Sequence, residues 1–327
     1  MTKAIRFYET GGPEVLKFED VAVGEPGPGQ VRVRHRAIAV NFIDTYFRMG
    51  RYPTPLPAGV GSGLGSDAVG VVEAVGPGVS DVAVGDRVGY MFGPLGAYSQ
   101  VRVMPAEVLI KLPDGVSDES AATLIMKGLT AQYLFRQVFP LKKGDTILYH
   151  AAAGGVGLIA CQWARAIGVT MIGTVGSEEK AAAAKAAGCT HVINYKTENF
   201  VERVKELTGG KGVPVVYDSV GKDTLMGSLD CLQKRGTLVS NGTSSGPVII
   251  DTMLLAMKGS LFVTRPAMVD YALPRPNMLK MADELFELVK SGQIVSEPKQ
   301  RFALADAADA HRALESRQTI GATILVP

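Results

Sequence analysis

The stretch that most constrains the fold of this chain is DTILYHAAAGGVGLIACQWARAIG, Asp145 to Gly168. DTILYH is apolar and β-leaning, LIACQWARAIG repeats its apolar residues at helical spacing, and only small residues separate them. A small-residue turn between strand and helix does one of two things. It lets the helix pack close on the strand, or it brings backbone N–H groups up to a phosphate at the helix N-terminus. Gly154 and Gly157 match the second and third glycines of G-x-G-x-x-G, with Ala152 where the first would stand.

The surroundings favour the phosphate. From Lys127 onward, apolar strands alternate with Ala-rich helices: VTMIGTV then EEKAAAAKAAG, HVINY then a helix around NFVERVKEL, followed by VPVVYDSV, GTLVSNG and SLFVT. That rhythm predicts βαβ units in a parallel, doubly wound sheet covered on both faces. Up to Met126 the pattern differs. It is β-rich, with a strand-like VRVRHRAIAV and loops such as PGPGQ and GPGVSDVAVGD punctuated by Gly and Pro. Near Arg265 the alternation stops, and a helix around MLKMADELFELVKSG, the segment ADAADAHRALESR and a last strand GATILVP follow. The predicted fold is α/β: a Rossmann-like domain over residues 127–264 inserted in a second domain built from 1–126 and 265–327.

Composition narrows the partners. A hydrophobic fraction of 46%, a charged fraction of 20% and a net charge of +2 fit an ordinary globular protein. With no basic cluster and no aromatic-basic stripe, nucleic-acid binding is not expected. No apolar run reaches bilayer-spanning length, the start MTKAIRFYETGG does not read as a signal peptide, and three scattered cysteines suit a reducing cytoplasm. Cys161, Cys189 and Cys231 read as small buried apolar residues.

The turn implies a dinucleotide, and the second strand selects which one. NAD-binding folds place an acid about 20 residues past the glycines for the ribose 2′-hydroxyl. From Leu158 through Ser177 there is none. GTVGSEEK supplies the Ser177 hydroxyl and the Lys180 cation instead, which suits the 2′-phosphate of NADPH. Ser177 also reads as a helix cap with Glu178 and Glu179 in the first turn, and the two readings are compatible.

With these residues in view, the chain resembles the zinc-free quinone oxidoreductases of the medium-chain dehydrogenase/reductase superfamily, the group that includes zeta-crystallin. GGPEVL, AVNFIDTYFRMGRYP, GVVEAVGPGV, GDRVGY, GAYSQ, KGLTAQYL, HAAAGGVGLIACQWA, VVYDSVGKDTL and LESRQTIGATILVP carry the resemblance over the whole length. It implies a GroES-like catalytic domain around the Rossmann insertion, NADPH as cofactor, a quinone as substrate and a homodimer. It places the pyrophosphate turn on Ala152 and on Ala153, Gly154, Gly155 and Val156, with Gly173 in the next strand. It adds Tyr195 and Arg317 to Ser177 and Lys180 around the 2′-phosphate. Val220, Asn241 and Ser244 fall on the nicotinamide and ribose side, with Lys127 and Thr130 beside the nicotinamide ribose and phosphates. Asn41, Tyr46 and Tyr52 would line the substrate pocket. The chain departs from the pattern at Asp67, where relatives usually carry Glu.

No metal is expected. A catalytic zinc takes about three Cys, His or carboxylate ligands, and a structural one typically four cysteines. The first 160 residues contain no cysteine, and His35, His150, His191 and His311 lack ligand spacing. Without a Lewis acid, the chemistry that fits is hydride or electron transfer to an acceptor whose oxygen is stabilised by hydrogen-bond donors. Asn41 offers an amide for this and Tyr46 and Tyr52 their phenols, beside a plain packing role for either tyrosine. The same layout suits an α,β-unsaturated aldehyde or ketone, and a noncatalytic NADPH-binding protein is the reading from a different class.

Overall fold

A computed structural model describes residues 1–327 except Ala58 and Val60. The chain divides into two compact units. The first comprises residues 1–129, 274–286 and 295–327, and the second comprises 130–273 and 287–294.

The first unit opens with strands β1 (Thr2–Phe7), β2 (Lys17–Val21) and β3 (Gln30–Val40), then the short helix α1 (Phe42–Arg48). Strands β4 (Ser62–Gly63), β5 (Ala68–Val75), β6 (Arg87–Tyr90), β7 (Val101–Pro105) and β8 (Ile110–Lys111) follow, and helix α2 (Asp118–Tyr133) begins. A small sheet runs β2-β1-β4. Strand β3 is long because VRVRHRAIAV alternates until its last four residues, where both faces are buried. It pairs antiparallel with both β5 and β7.

The second unit is the alternating one. Its elements are β9 (Thr146–Tyr149), α3 (Gly155–Ala166), β10 (Thr170–Val175), α4 (Glu178–Ala186), β11 (His191–Asn194), α5 (Phe200–Leu207), β12 (Val213–Asp218), α6 (Leu225–Asp230), β13 (Leu232–Ser240), α7 (Thr252–Met257), β14 (Phe262–Thr264) and α8 (Met268–Ala272). The sheet order is β11-β10-β9-β12-β13-β14, and every pairing is parallel. Numbered within the sheet this is 3-2-1-4-5-6, the dinucleotide-binding order, whose switch point lies between β9 and β12. Parallel strands buried on both faces need continuous apolar runs. Leu148, Ile172, Ile193, Val216 and Leu238 supply part of one core cluster with helix residues Val204, Leu225 and Leu229.

The chain ends with helix α9 (Arg275–Lys290), strand β15 (Pro298–Ala303), helix α10 (Ala307–Glu315) and strand β16 (Ala322–Val326). Strands β15 and β16 pair parallel, and β16 then pairs antiparallel with β3, so the carboxyl end completes the larger sheet of the first unit. Ile38, Leu325, Leu304 and Ala310 share its core. Among the described residues no helix is long and apolar enough to cross a membrane.

Candidate functional site

In the second unit the turn after β9 is built as tightly as its sequence suggests. Ala151 sits in the left-handed region (φ 57°), Gly154 N of the turn bonds Ala151 O at 2.9 Å, and Gly154 caps α3. A side chain on Gly157 would press into the Ala151 carbonyl and lie 2.6 Å from the carbonyl carbon and oxygen of Ala152. One on Gly173 would lie 2.6 Å from Ala152 Cβ and 2.7 Å from Cys189 Sγ. Helix and strand thus meet backbone to backbone. The first-turn N–H groups of Gly155 and Val156 are left pointing past the turn, where an anion is stabilised.

Ser177 caps α4, its Oγ accepting from Lys180 N at 3.2 Å. Tyr195, half exposed, follows β11 and bonds Val175 O through its N–H, and its hydroxyl lies against Gly176, one residue before Ser177. Ser177, Lys180 and Tyr195, three of the four residues named for a 2′-phosphate, therefore gather at the carboxyl ends of β10 and β11.

A buried polar web supports the switch point. Asp218 ends β12 and accepts from the N–H groups of Val220 (2.8 Å) and Gly221 (2.9 Å), which shapes the DSVG turn. Ser228 Oγ donates to Asp218 Oδ2 at 2.7 Å, so it accepts from His150 Nε2 at 3.0 Å; Nδ1 then accepts from Thr174 at 2.8 Å. Burial pushes the His150 imidazole down, so it stays neutral in this web. The ends of β9, β10 and β12 are thereby tied together. Asn241 follows β13, bonds Asp218 O through its N–H, and keeps a buried Oδ1 with no partner among the described residues. A buried acceptor of this kind is open to a donor from water or from a ligand. The tight turn and this acceptor fit a dinucleotide. Ser244 closes the neighbouring loop onto Ser219 O, and Thr130 on α2 faces Met268.

The first unit holds the other named residues. Asn41 caps α1, and Asp44, in the helix's first turn, reaches back to accept its N–H at 2.9 Å. Asn41 Oδ1 accepts from Lys127 Nζ at 2.8 Å, and Nδ2 donates to Asp67 Oδ2 at 3.2 Å. Tyr46 is buried and Tyr52 half-buried, with rings edge-to-face at 5.8 Å and the Arg51 guanidinium 5.5 Å over Tyr46. Arg317 lies in a turn past α10 with φ 58°.

Charge is concentrated beneath Asn41. Burial pushes Asp67 up to about 7, opposed by the Lys127 ammonium. It pushes Asp44 up to about 6 against the bonds from Asn41, Ser66 and Tyr98, and it holds Lys127 down. From Asp44 a directed chain runs outward. Tyr98 donates to Asp44 Oδ2 (3.1 Å) and accepts from His311 Nε2 (3.0 Å), while Arg48 donates to His311 Nδ1 (2.9 Å) and bidentately to Glu315 (2.7 and 3.2 Å). Sequence reasoning assigned no role to Asp67 and did not find this chain. The one signal present was Asp44, an acid three residues past a capping Asn.

Zinc does not fit the residues present. The carboxylates beside Asn41 face the ammonium of Lys127, whose charge opposes a divalent cation, and the described residues hold no cluster of three Cys, His or carboxylate side chains placed to ligate one.

Two family models match the chain: an alcohol dehydrogenase GroES-like domain over residues 27–114 and a zinc-binding dehydrogenase over 155–283. A quinone oxidoreductase of Pseudomonas aeruginosa is 56% identical over the full length of both chains. A 2-haloacrylate reductase of a Burkholderia species is 50% identical, covering all of this chain and 99% of its own. The crystal structure of Escherichia coli quinone oxidoreductase complexed with NADPH superposes with a TM-score of 0.97 at 48% identity, over 99% of this chain and 100% of that one.

Proposed function

The chain belongs to the quinone oxidoreductases of the medium-chain dehydrogenase/reductase superfamily, and from that membership we propose how its residues serve the reaction. It is an NADPH-dependent enzyme that reduces quinones. The observation that carries the residue-level reading is the backbone-to-backbone turn at Gly157, which presents the first N–H groups of α3. Ala153, Gly154, Gly155 and Val156 receive the pyrophosphate there, with Gly173, against Ala152, keeping the turn close. Ser177, Lys180, Tyr195 and Arg317 receive the 2′-phosphate. Val220, Asn241 and Ser244 hold the nicotinamide and its ribose, with Lys127 and Thr130 beside the nicotinamide ribose and phosphates. NADPH, when bound, supplies a hydride; with one proton from water, that hydride turns a quinone into its hydroquinone. Asn41, Tyr46 and Tyr52 orient the acceptor, exclude water and donate hydrogen bonds to the oxygen on which charge develops.

Steady-state oxidation of NADPH and NADH with 1,4-benzoquinone, 9,10-phenanthrenequinone and an enal tests this. Quinone turnover with a strong NADPH preference is expected. Lys180→Glu should raise KM for NADPH by roughly 30- to 100-fold, the worth of one reversed phosphate contact, and leave KM for NADH within about threefold. Equal use of both cofactors by the wild-type enzyme would remove the phosphate assignment. The 50% identity to a 2-haloacrylate reductase supports alkene reduction as a second reading, and turnover of the enal alone would select it.

The enzyme acts as a cytoplasmic homodimer in this proposal. The three buried free thiols suit a reducing compartment. Strand β14 is a sheet edge, and Phe262 on it is 57% exposed; nearby Met257 is 78% and Ile249 86% exposed. An apolar edge strand of this kind is covered by a second copy. Phe262→Asp is expected to shift the mass measured by light scattering from dimer to monomer. A variant that stays dimeric would move the interface elsewhere.

A further inference from the structure

A side-chain amide is a useful donor only if its two ends cannot exchange. Asn and Gln flip readily unless their partners tell oxygen from nitrogen. Asn41 is held with unusual completeness. Lys127 has donors only, so the atom 2.8 Å from its ammonium is the amide oxygen. Asp67 accepts through Oδ2, so the atom 3.2 Å away is the amide nitrogen. Asp44 holds the backbone N–H of the same residue at 2.9 Å, and is itself fixed by Ser66 and Tyr98. Asp67 and Lys127 are both buried, and Asn41 keeps 8% of its surface exposed. One N–H of the amide then remains uncommitted among the described residues.

We infer that Asp67 and Lys127 are positioning residues for the reduction: they lock the Asn41 amide so that its remaining N–H is a preset donor to the acceptor's carbonyl oxygen. This rests on the reading of Asn41 as a pocket residue. The recognised ligand chemistry is a carbonyl oxygen gaining negative charge. A donor fixed beforehand needs no reorganisation as that charge develops, which is where such groups gain most of their effect. With the lock removed, the amide turns over in part of the molecules and offers its oxygen, which repels the developing charge. The loss falls on kcat, because the interaction strengthens in the transition state, and much less on KM for NADPH.

A double-mutant cycle on the dimeric enzyme tests the lock, with 9,10-phenanthrenequinone as acceptor. Asp67→Asn, isosteric but able to donate as well as accept, is expected to lower kcat on the order of 10- to 100-fold, with KM for NADPH within about threefold. In the Asn41→Ala background the same substitution should change kcat less than twofold, because nothing is left to orient. An equal loss in both backgrounds would show that Asp67 acts through something other than Asn41 and would overturn the inference; so would wild-type kcat in Asp67→Asn. If Asp67→Asn does not fold, Asp67→Ala serves in the same cycle: it removes the acceptor that marks the amide nitrogen, and again should cost kcat only where Asn41 is present. If the wild-type enzyme reduces no quinone, the functional reading fails by itself. The cycle is then read on an enal, whose carbonyl needs the same donor.

Discussion

Gly157→Ala is expected to cost about 3 kcal/mol of stability, whereas Gly154→Ala, three residues earlier, should cost well under half of that and weaken NADPH instead. The difference lies in what an added methyl meets. At Gly157 it runs into main-chain atoms of Ala151 and Ala152, which cannot swing aside as a side chain would. Ala152 is fully buried, its N–H bonds Thr174 O at 3.1 Å, and its Cβ already fills the space above Gly173. Relief requires helix α3 to lift off the sheet, and overpacking of this kind costs typically 1–3 kcal/mol where side chains alone must move. In a unit of this size that is a fall of roughly 6–12 °C in Tm. At Gly154 the new methyl would lie 3.2 Å from the Ala151 carbonyl, and the backbone there (φ −74°) suits any residue, so the fold has room for it. That methyl would instead crowd the place proposed for the pyrophosphate at the first turn of α3. Calorimetry and NADPH titration of both variants separate the jobs. If Gly157→Ala melts with the wild-type protein, the turn is not closely packed; if Gly154→Ala binds NADPH as tightly as wild type, the phosphate reading of the glycine fails.

The turn was legible because every cue for it is local. A strand, a run of small residues and a helix lie within one short segment, and the same holds for the Ser177 cap, whose Oγ finds Lys180 N three residues on. The parallel sheet was legible from alternation, since strands buried on both faces must be apolar throughout. Helix α2 was not recognised before Lys127, although it starts at Asp118. Residues 121–129 are buried on every face, so the helix shows no amphipathic period to detect. The polar cluster under Asn41 was hidden for a different reason. Its bonds join residues 26 positions apart (Asn41 and Asp67), 86 apart (Asn41 and Lys127) and 267 apart (Arg48 and Glu315). No spacing rule reaches that far, and burial reverses the expected reading of each member: an Asp, an Arg and a Lys look like surface residues in a sequence. Asp67 in particular looked like a small variation on a family acid, whereas its partners make it one of two groups that define the orientation of Asn41.

The same burial makes Arg48 a sensitive position in the first unit. Its side chain is completely buried and fully used: Nε donates to Gly11 O at 3.0 Å, Nη1 to His311, and the fork grips Glu315. Removing one partner of such a pair leaves the other uncompensated, which costs about 3–5 kcal/mol. Arg48→Met is therefore expected to lower Tm by roughly 6–20 °C. The pH dependence gives the prediction a second handle. His311 is pushed down to about 3, first by burial and then by the Arg48 charge, so the folded protein prefers it neutral. A depressed histidine contributes stability that is complete above about 6.5 and drains away as pH falls toward the folded value, about 3 kcal/mol of it by pH 4. Without Arg48 the imidazole is less depressed, and the variant has less to lose on acidification. The gap between wild type and Arg48→Met should accordingly be widest near pH 7 and narrow steadily toward pH 4, as read from denaturant midpoints across that range. A gap that stays constant would mean that Arg48 does not set the protonation of His311. A gap that is absent at pH 7 would mean that the Arg48–Glu315 pair does not hold helix α10, and with it the Arg317 turn, against helix α1.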